Sequence, residues 1–119
     1  MPPQIVKYSA TGGDLLVEVS VGNLVFGHYL VKSRIPPNAP VTILDGSNLH
    51  PTTQTFTPSD GQGVSWDVVL NKLPGGDSSW TVTVSLRQNG ATIYTAPYTG
   101  QFTADTSVPV SGGVLLVAS

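Results

Sequence analysis

Cysteine is absent from the 119-residue chain, which excludes a disulfide, a zinc–thiolate site and a cysteine nucleophile. Charge is scarce too: 10% of the residues are Asp, Glu, Lys or Arg, against about a quarter in an ordinary soluble domain. Five basic and seven acidic side chains give a net charge of −2, and the basic ones form no stripe that would neutralise a phosphate backbone. Nucleic acid is therefore not an expected partner. No apolar run approaches the roughly 20 residues that span a bilayer, so membrane insertion is not expected. Residues Met1 to Tyr8 lack the basic region and apolar core of a signal peptide. These absences leave the compartment open. No amphipathic helical period persists for three turns, and no fixed-length repeat is present.

Thr, Ser, Gly and Pro fill the space that charge leaves, so solubility rests on hydroxyls and amides. At this length the chain reads as one domain, residues 1–119, large enough to bury roughly two-thirds of its unfolded surface without covalent staples. Its organising stretch runs from Val64 to Thr95. Val64, Trp66, Val68 and Leu70 alternate with Ser65 and Asp67, and Trp80, Val82, Val84 and Leu86 alternate with Thr81, Thr83, Ser85 and Arg87. A period of two over such lengths predicts half-buried strands with both tryptophans facing inward.

Asn89-Gly90 tolerates the positive φ of a two-residue hairpin turn, which predicts a partner strand over Ala91 to Ala96. That loop sets Gln88 opposite Ala91, Leu86 opposite Ile93 and Val84 opposite Thr95. Ser85 and Tyr94 then share the polar face, exposed to solvent.

The remaining strands are read between turn signals. Gln4 to Ala10 is a short first strand closed by Thr11-Gly12-Gly13, and Asp14 to Val21 is a second. Gly22-Asn23 admits two readings. A hairpin would place Val17 against His28 and Leu16 beside Tyr29, whereas a crossing to a second sheet would separate them. Pro36, Pro37 and Pro40 make Ser33 to Pro40 a crossing loop or an edge. Val41 to Leu44 is a brief strand ended by a turn at Asp45-Gly46-Ser47-Asn48. Thr52 to Thr57, framed by prolines, belongs at a sheet edge. Asn71 to Ser79 is a surface connection. Tyr98 to Thr103 forms a further strand, and the uncharged ending Gly113 to Ala118 is docked. Seven to nine strands predict an all-β fold, an antiparallel two-sheet β-sandwich.

From Ser65-Trp66 through Leu73, Gly75 or Gly76, Trp80-Thr81-Val82-Thr83-Val84 and Gly90, the order of elements resembles bacterial immunoglobulin-like and fibronectin type III-like modules. The likeness covers about a quarter of the chain and lacks the Cys-Trp-Cys framework of antibody domains. It implies an immunoglobulin-like scaffold for adhesion, spacing or ligand display, at a cell surface or outside the cell. It carries no functional residue across.

The search for chemistry yields no catalytic set. A hydrolase needs a nucleophile, a base and an oxyanion donor within mutual reach. The two histidines read as a strand residue (His28) and a solvated loop residue before Pro51 (His50), and no Gly-x-Ser-x-Gly elbow is present. Glu18 and Asp67 alternate onto polar faces, where solvation accounts for them better than a facing carboxylate pair. Gly61-Gln62-Gly63 lacks the third glycine and the helix of a phosphate cradle.

Asp45 to Asn48, Ser59-Asp60 and Asp77-Ser78 are oxygen-rich, as calcium requires, but the complete calcium-loop motif is missing. No cofactor is expected, and Asx-turn chemistry accounts for these residues without a metal. The chain is expected to be no enzyme but a recognition module, adhesin-like or lectin-like, meeting a glycan or a protein surface. Its candidate contacts are Tyr94, Tyr29, Asp45, Asn48, Asp60 and Asp77, an aromatic platform with oriented polar groups. The alternative is a structural module that forms a homo-oligomer through strand edges or through Val114 to Ala118.

Overall fold

The computed structural model describes residues 4–22, 25–47, 52–75, 78–102 and 107–119. Among these residues nine strands form an all-β sandwich of two sheets. They are β1 (Gln4–Tyr8), β2 (Leu15–Gly22), β3 (Val25–Arg34), β4 (Val41–Ser47), β5 (Thr53–Phe56), β6 (Gly63–Lys72), β7 (Ser79–Gln88), β8 (Ala91–Gln101) and β9 (Ser107–Ala118). One sheet has the order β1-β9-β6-β3-β4 and the other β5-β2-β7-β8. Every neighbouring pair is antiparallel except β1 and β9, which run parallel. The first and last strands are thus paired side by side.

The two tryptophan strands lie in different sheets, as their inward alternation requires. Val64, Trp66, Val68 and Leu70 of β6 meet Trp80, Val82, Val84 and Leu86 of β7 in one core, joined by Leu15, Val17 and Val19 of β2. Each fully buried Val or Leu contributes about 1.5–3 kcal/mol relative to exposure. Trp66, at 1% exposure, is the largest side chain so placed.

Several sequence expectations are corrected. Of the two readings of the connection after Gly22, the crossing to a second sheet is the one that forms: β2 belongs to the four-stranded sheet and β3 to the five-stranded one, so Val17 faces Leu86 and Gln54 across its ladders, not His28. Burial of two separate inward faces outweighs a local turn preference. Asp45, Gly46 and Ser47 continue β4 along β3, because an antiparallel neighbour supplies the ladder that turn chemistry alone would forgo. Ser33 and Arg34 end β3, and the prolines that follow form the turn into β4, its adjacent strand. Tyr98 to Gln101 continues β8 and does not begin a strand of its own.

The Asn89-Gly90 hairpin forms, with φ values of 53° and 80° that only such residues take readily. Gln88 pairs with Ala91 and Arg87 with Thr92, but the register then shifts and Leu86 pairs with Tyr94. One extra residue on β8, a bulge at Ile93, turns every later side chain to the other face. Tyr94 therefore points toward the core, half-buried, and not into solvent beside Ser85.

The uncharged C-terminal segment is docked as expected, within its own sheet. β9 pairs with β6 from Ser107 to Leu115 and with β1 from Val114 to Ala118. In this fold Val114 to Ala118 is not available to complete a neighbour's sheet.

Candidate functional site

The six sequence-predicted contact residues do not converge. Tyr29 is 0% exposed, its hydroxyl donating to the Ser47 carbonyl at 2.6 Å, and burial raises its pKa to about 12. It is a core residue, so its expected contact with a ligand is corrected. Tyr94 packs against Trp66 with ring centroids 6.3 Å apart, and its hydroxyl lies 3.4 Å from the Gln4 side-chain oxygen. Burial and the neighbouring Tyr98 both push its pKa up. Asp45 stands on β4 with Oδ1 2.9 Å from His28 Nε2. Asp60 accepts the Ala118 backbone N–H at 2.9 Å, which pins the end of β9. Asn48 and Asp77 lie outside the described residues.

The aromatic platform is likewise taken up by the core. Trp66 and Tyr29 are enclosed, Trp80 is 9% exposed, and Tyr8 and Phe102 are buried. Among the described residues no three His, Cys, Asp or Glu side chains gather as a metal site would need, and no helix is long and apolar enough to cross a membrane.

A different arrangement stands on the outer face of the five-stranded sheet. Because Val64, Trp66 and Val68 face inward, Gly63, Ser65, Asp67 and Val69 of β6 face outward. Gly63 pairs with Leu115 on one side and Arg34 on the other, and Ser65 pairs with Gly113 and Lys32. Two glycines at neighbouring outward positions leave side-chain space unfilled. A depression of about 270 Å³ results, floored by Gly63 and Gly113 and walled by Lys32, Arg34, Leu115 and Pro40.

Charge is unevenly spread over this face. Lys32 and Arg34 stand at the depression, and Lys7 of β1 lies beyond it, beside Val117. Arg34 Nε donates to the Asn38 carbonyl at 3.0 Å, which anchors the guanidinium beside the β3–β4 turn. The ion pairs among the described residues are His28–Asp45 and Arg87–Glu18, so none of these three cations has a carboxylate partner. Further along the strands Asp67 and Asp45 flank Leu30 on either side. Asp67 accepts from the Ser111 hydroxyl at 2.7 Å. Val69, one outward position on, is 41% exposed, and Ile5 on β1 is 60% exposed.

The outer face of the four-stranded sheet has another character. Thr81, Thr83 and Ser85 of β7 stand beside Thr99, Pro97 and Thr95 of β8, with Glu18 and Arg87 3.6 Å apart at its far end. A depression of about 240 Å³ lies along β2 of that sheet, lined by Glu18, Val19, Ser20, Val21 and Thr52, and its surface is mainly polar, whereas the one over Gly63 and Gly113 is mainly apolar.

Sequence reasoning did not offer Lys32, Arg34, Gly63, Gly113 or Val69 as contact residues. Their proximity depends on β9 and β3 flanking β6, a long-range pairing. One local signal was present: Val69 is an apolar residue at a position where the alternation of β6 calls for a polar one.

No protein-family model matches the chain, no curated protein matches it, and no solved structure matches it.

Proposed function

We propose that the chain is a non-catalytic recognition module that meets a protein surface through the outer face of its five-stranded sheet. The observation that carries this reading is the depression over Gly63 and Gly113, bounded by Lys32 and Arg34, which have no carboxylate partner among the described residues, with exposed Ile5 beside its Leu115 wall. An apolar floor supplies the area that drives association, and unpaired charge at the rim selects the partner. A protein surface with carboxylates around an apolar projection is the complementary shape.

The glycan reading has less support. Sugar recognition leans on exposed aromatic faces, and the tryptophans and Tyr29 spend theirs on the core. Association through strand edges also has less support, since each edge is protected. β1 and β5 are five and four residues long, β1 carries Lys7, β4 is bulged, and β8 contains Pro97, which lacks an N–H for a further ladder.

Site-directed photo-cross-linking tests the reading. A photoreactive phenylalanine placed at Ser65 should give protein adducts that disappear in the Lys32→Glu/Arg34→Glu double variant. The same group at Thr83, on the opposite sheet, should give none. Equal adduct formation from both positions, or selective glycan-array binding that survives the double variant, would contradict it.

A further inference from the structure

We infer that the occupant of this face is a second copy of the chain, packed face to face about a two-fold axis that runs across the strands. The inference rests on the preceding reading of the face as a protein-binding surface and names its partner. It follows from the order of side chains along β3 and β6. Outward positions on β3 run Arg34, Lys32, Leu30, His28, and on β6, in the same levels, Gly63, Ser65, Asp67, Val69. A half-turn about an axis between the second and third levels exchanges the first with the fourth and the second with the third.

Two consequences of that exchange are complementary. The level of Val69 is carried onto the level of Gly63, so the most exposed apolar side chain of β6 meets the depression of the other copy. The level of Lys32 is carried onto that of Leu30, where Asp67 and Asp45 stand on either side. Lys32 of each copy therefore lies between two carboxylates of its partner. A two-fold axis along the strands would instead set the Lys7, Lys32 and Arg34 ends against each other, and like-charge repulsion disfavours it. An interface of this type is self-complementary, as two-fold symmetry demands.

The area is adequate. Five strands about 4.8 Å apart, averaging about nine residues that rise roughly 3.3 Å each, present on the order of 700 Å² per copy. A standard stable interface buries about 800 Å² per partner. Stacked sheets pack at about 10 Å with their strands within about 30° of alignment, which brings the central levels into contact. Ile5 and Leu115, beside the depression, add apolar area around the other copy's Val69.

Sedimentation equilibrium on the full chain, from about 1 to 500 µM, tests the inference. The expected mass rises from monomer to dimer and no further, with affinity falling at least about tenfold in 1 M salt as the charge contacts are screened. Gly63→Val should remain folded, because a Cβ there comes no closer than 3.9 Å to the Arg34 carbonyl oxygen, and should be monomeric because the depression is filled. Lys32→Glu and Asp67→Lys should each be monomeric, and their equimolar mixture should recover the dimer, since both cross-contacts then match. Circular dichroism and tryptophan emission equal to wild type confirm folding of each variant.

A wild-type chain monomeric throughout overturns the inference. If its Ser65 cross-links to another protein persist, the recognition reading stands without it. A dimer unaffected by Gly63→Val, or a charge-swapped mixture that stays monomeric, also overturns it.

Discussion

Trp66 Nε1 donates to the Tyr98 hydroxyl at 3.2 Å, and this hydrogen bond joins β6 of one sheet to β8 of the other across the sandwich. The indole is enclosed, so without Tyr98 its N–H would be stranded in the core. Gly112, opposite Trp66 on β9, makes the contact possible: a Cβ there would come within 2.8 Å of the indole nitrogen and also crowd the Tyr98 hydroxyl.

Tyr98→Phe is expected to lower unfolding free energy by about 1–3 kcal/mol, the cost of leaving the buried indole N–H without a partner. Gly112→Ala is expected to cost about 1–3 kcal/mol, because the added methyl group overpacks a filled site. Urea titration followed by tryptophan fluorescence reads both. An unchanged midpoint in either variant would contradict the inter-sheet contact.

Gln88 is 6% exposed, and its amide fastens the loop between β1 and β2. Its Oε1 accepts from the Ser9 N–H at 2.9 Å, and its Nε2 donates to the carbonyls of Ser9 at 2.8 Å and Gly13 at 2.9 Å. Gln88→Ala is expected to destabilise the chain by roughly 2–4 kcal/mol, since three backbone groups lose a partner at once. Native-state amide exchange should show opening of residues 9–14 ahead of the core strands. Exchange in that loop unchanged from wild type would refute its dependence on Gln88.

The buried hydroxyl of Tyr29 makes stability depend on alkaline pH. Burial raises its pKa from 10.0 to about 12, so between these values the unfolded chain loses a proton that the folded chain retains. The stabilising contribution is whole below pH 10 and is lost as pH rises toward 12, at a cost on the order of 3 kcal/mol. Tyr94, raised for the same leading reason, adds to the slope in the same direction. Denaturant titrations from pH 9 to 12 should show this decline, and Tyr29→Phe should flatten most of it. A parallel decline in that variant would assign the effect elsewhere.

Much of the sandwich was legible because burial of one strand face imposes alternation, and β2, β6 and β7 carry it plainly. The local turn at Asn89-Gly90 was legible for the same reason: its backbone requirement is met by two residue types in sequence. What escaped was non-local. The bulge at Ile93 has no residue signature, yet it moved Tyr94 from the solvent face to the side of Trp66. Gly22-Asn23 looks like a hairpin loop on its own, and only the competition between two inward faces decides that β2 and β3 part company. The candidate surface was the least legible element, because Lys32, Gly63 and Gly113 are separated by tens of residues and meet through strand order alone. Looking for rings to hold a ligand also misled, since the core had first use of them.

Binding of a second copy to the outer face of the five-stranded sheet is read residue by residue from amide chemical shifts followed through a dilution series. The predicted result is a set of concentration-dependent shifts confined to Lys32, Arg34, Gly63, Ser65, Asp67, Val69 and Gly113 and their immediate neighbours, with Thr81, Thr83 and Thr99 unmoved. Shifts that gather on the threonine-bearing sheet or around Tyr94 and Tyr98, or no shift at any concentration, would contradict it.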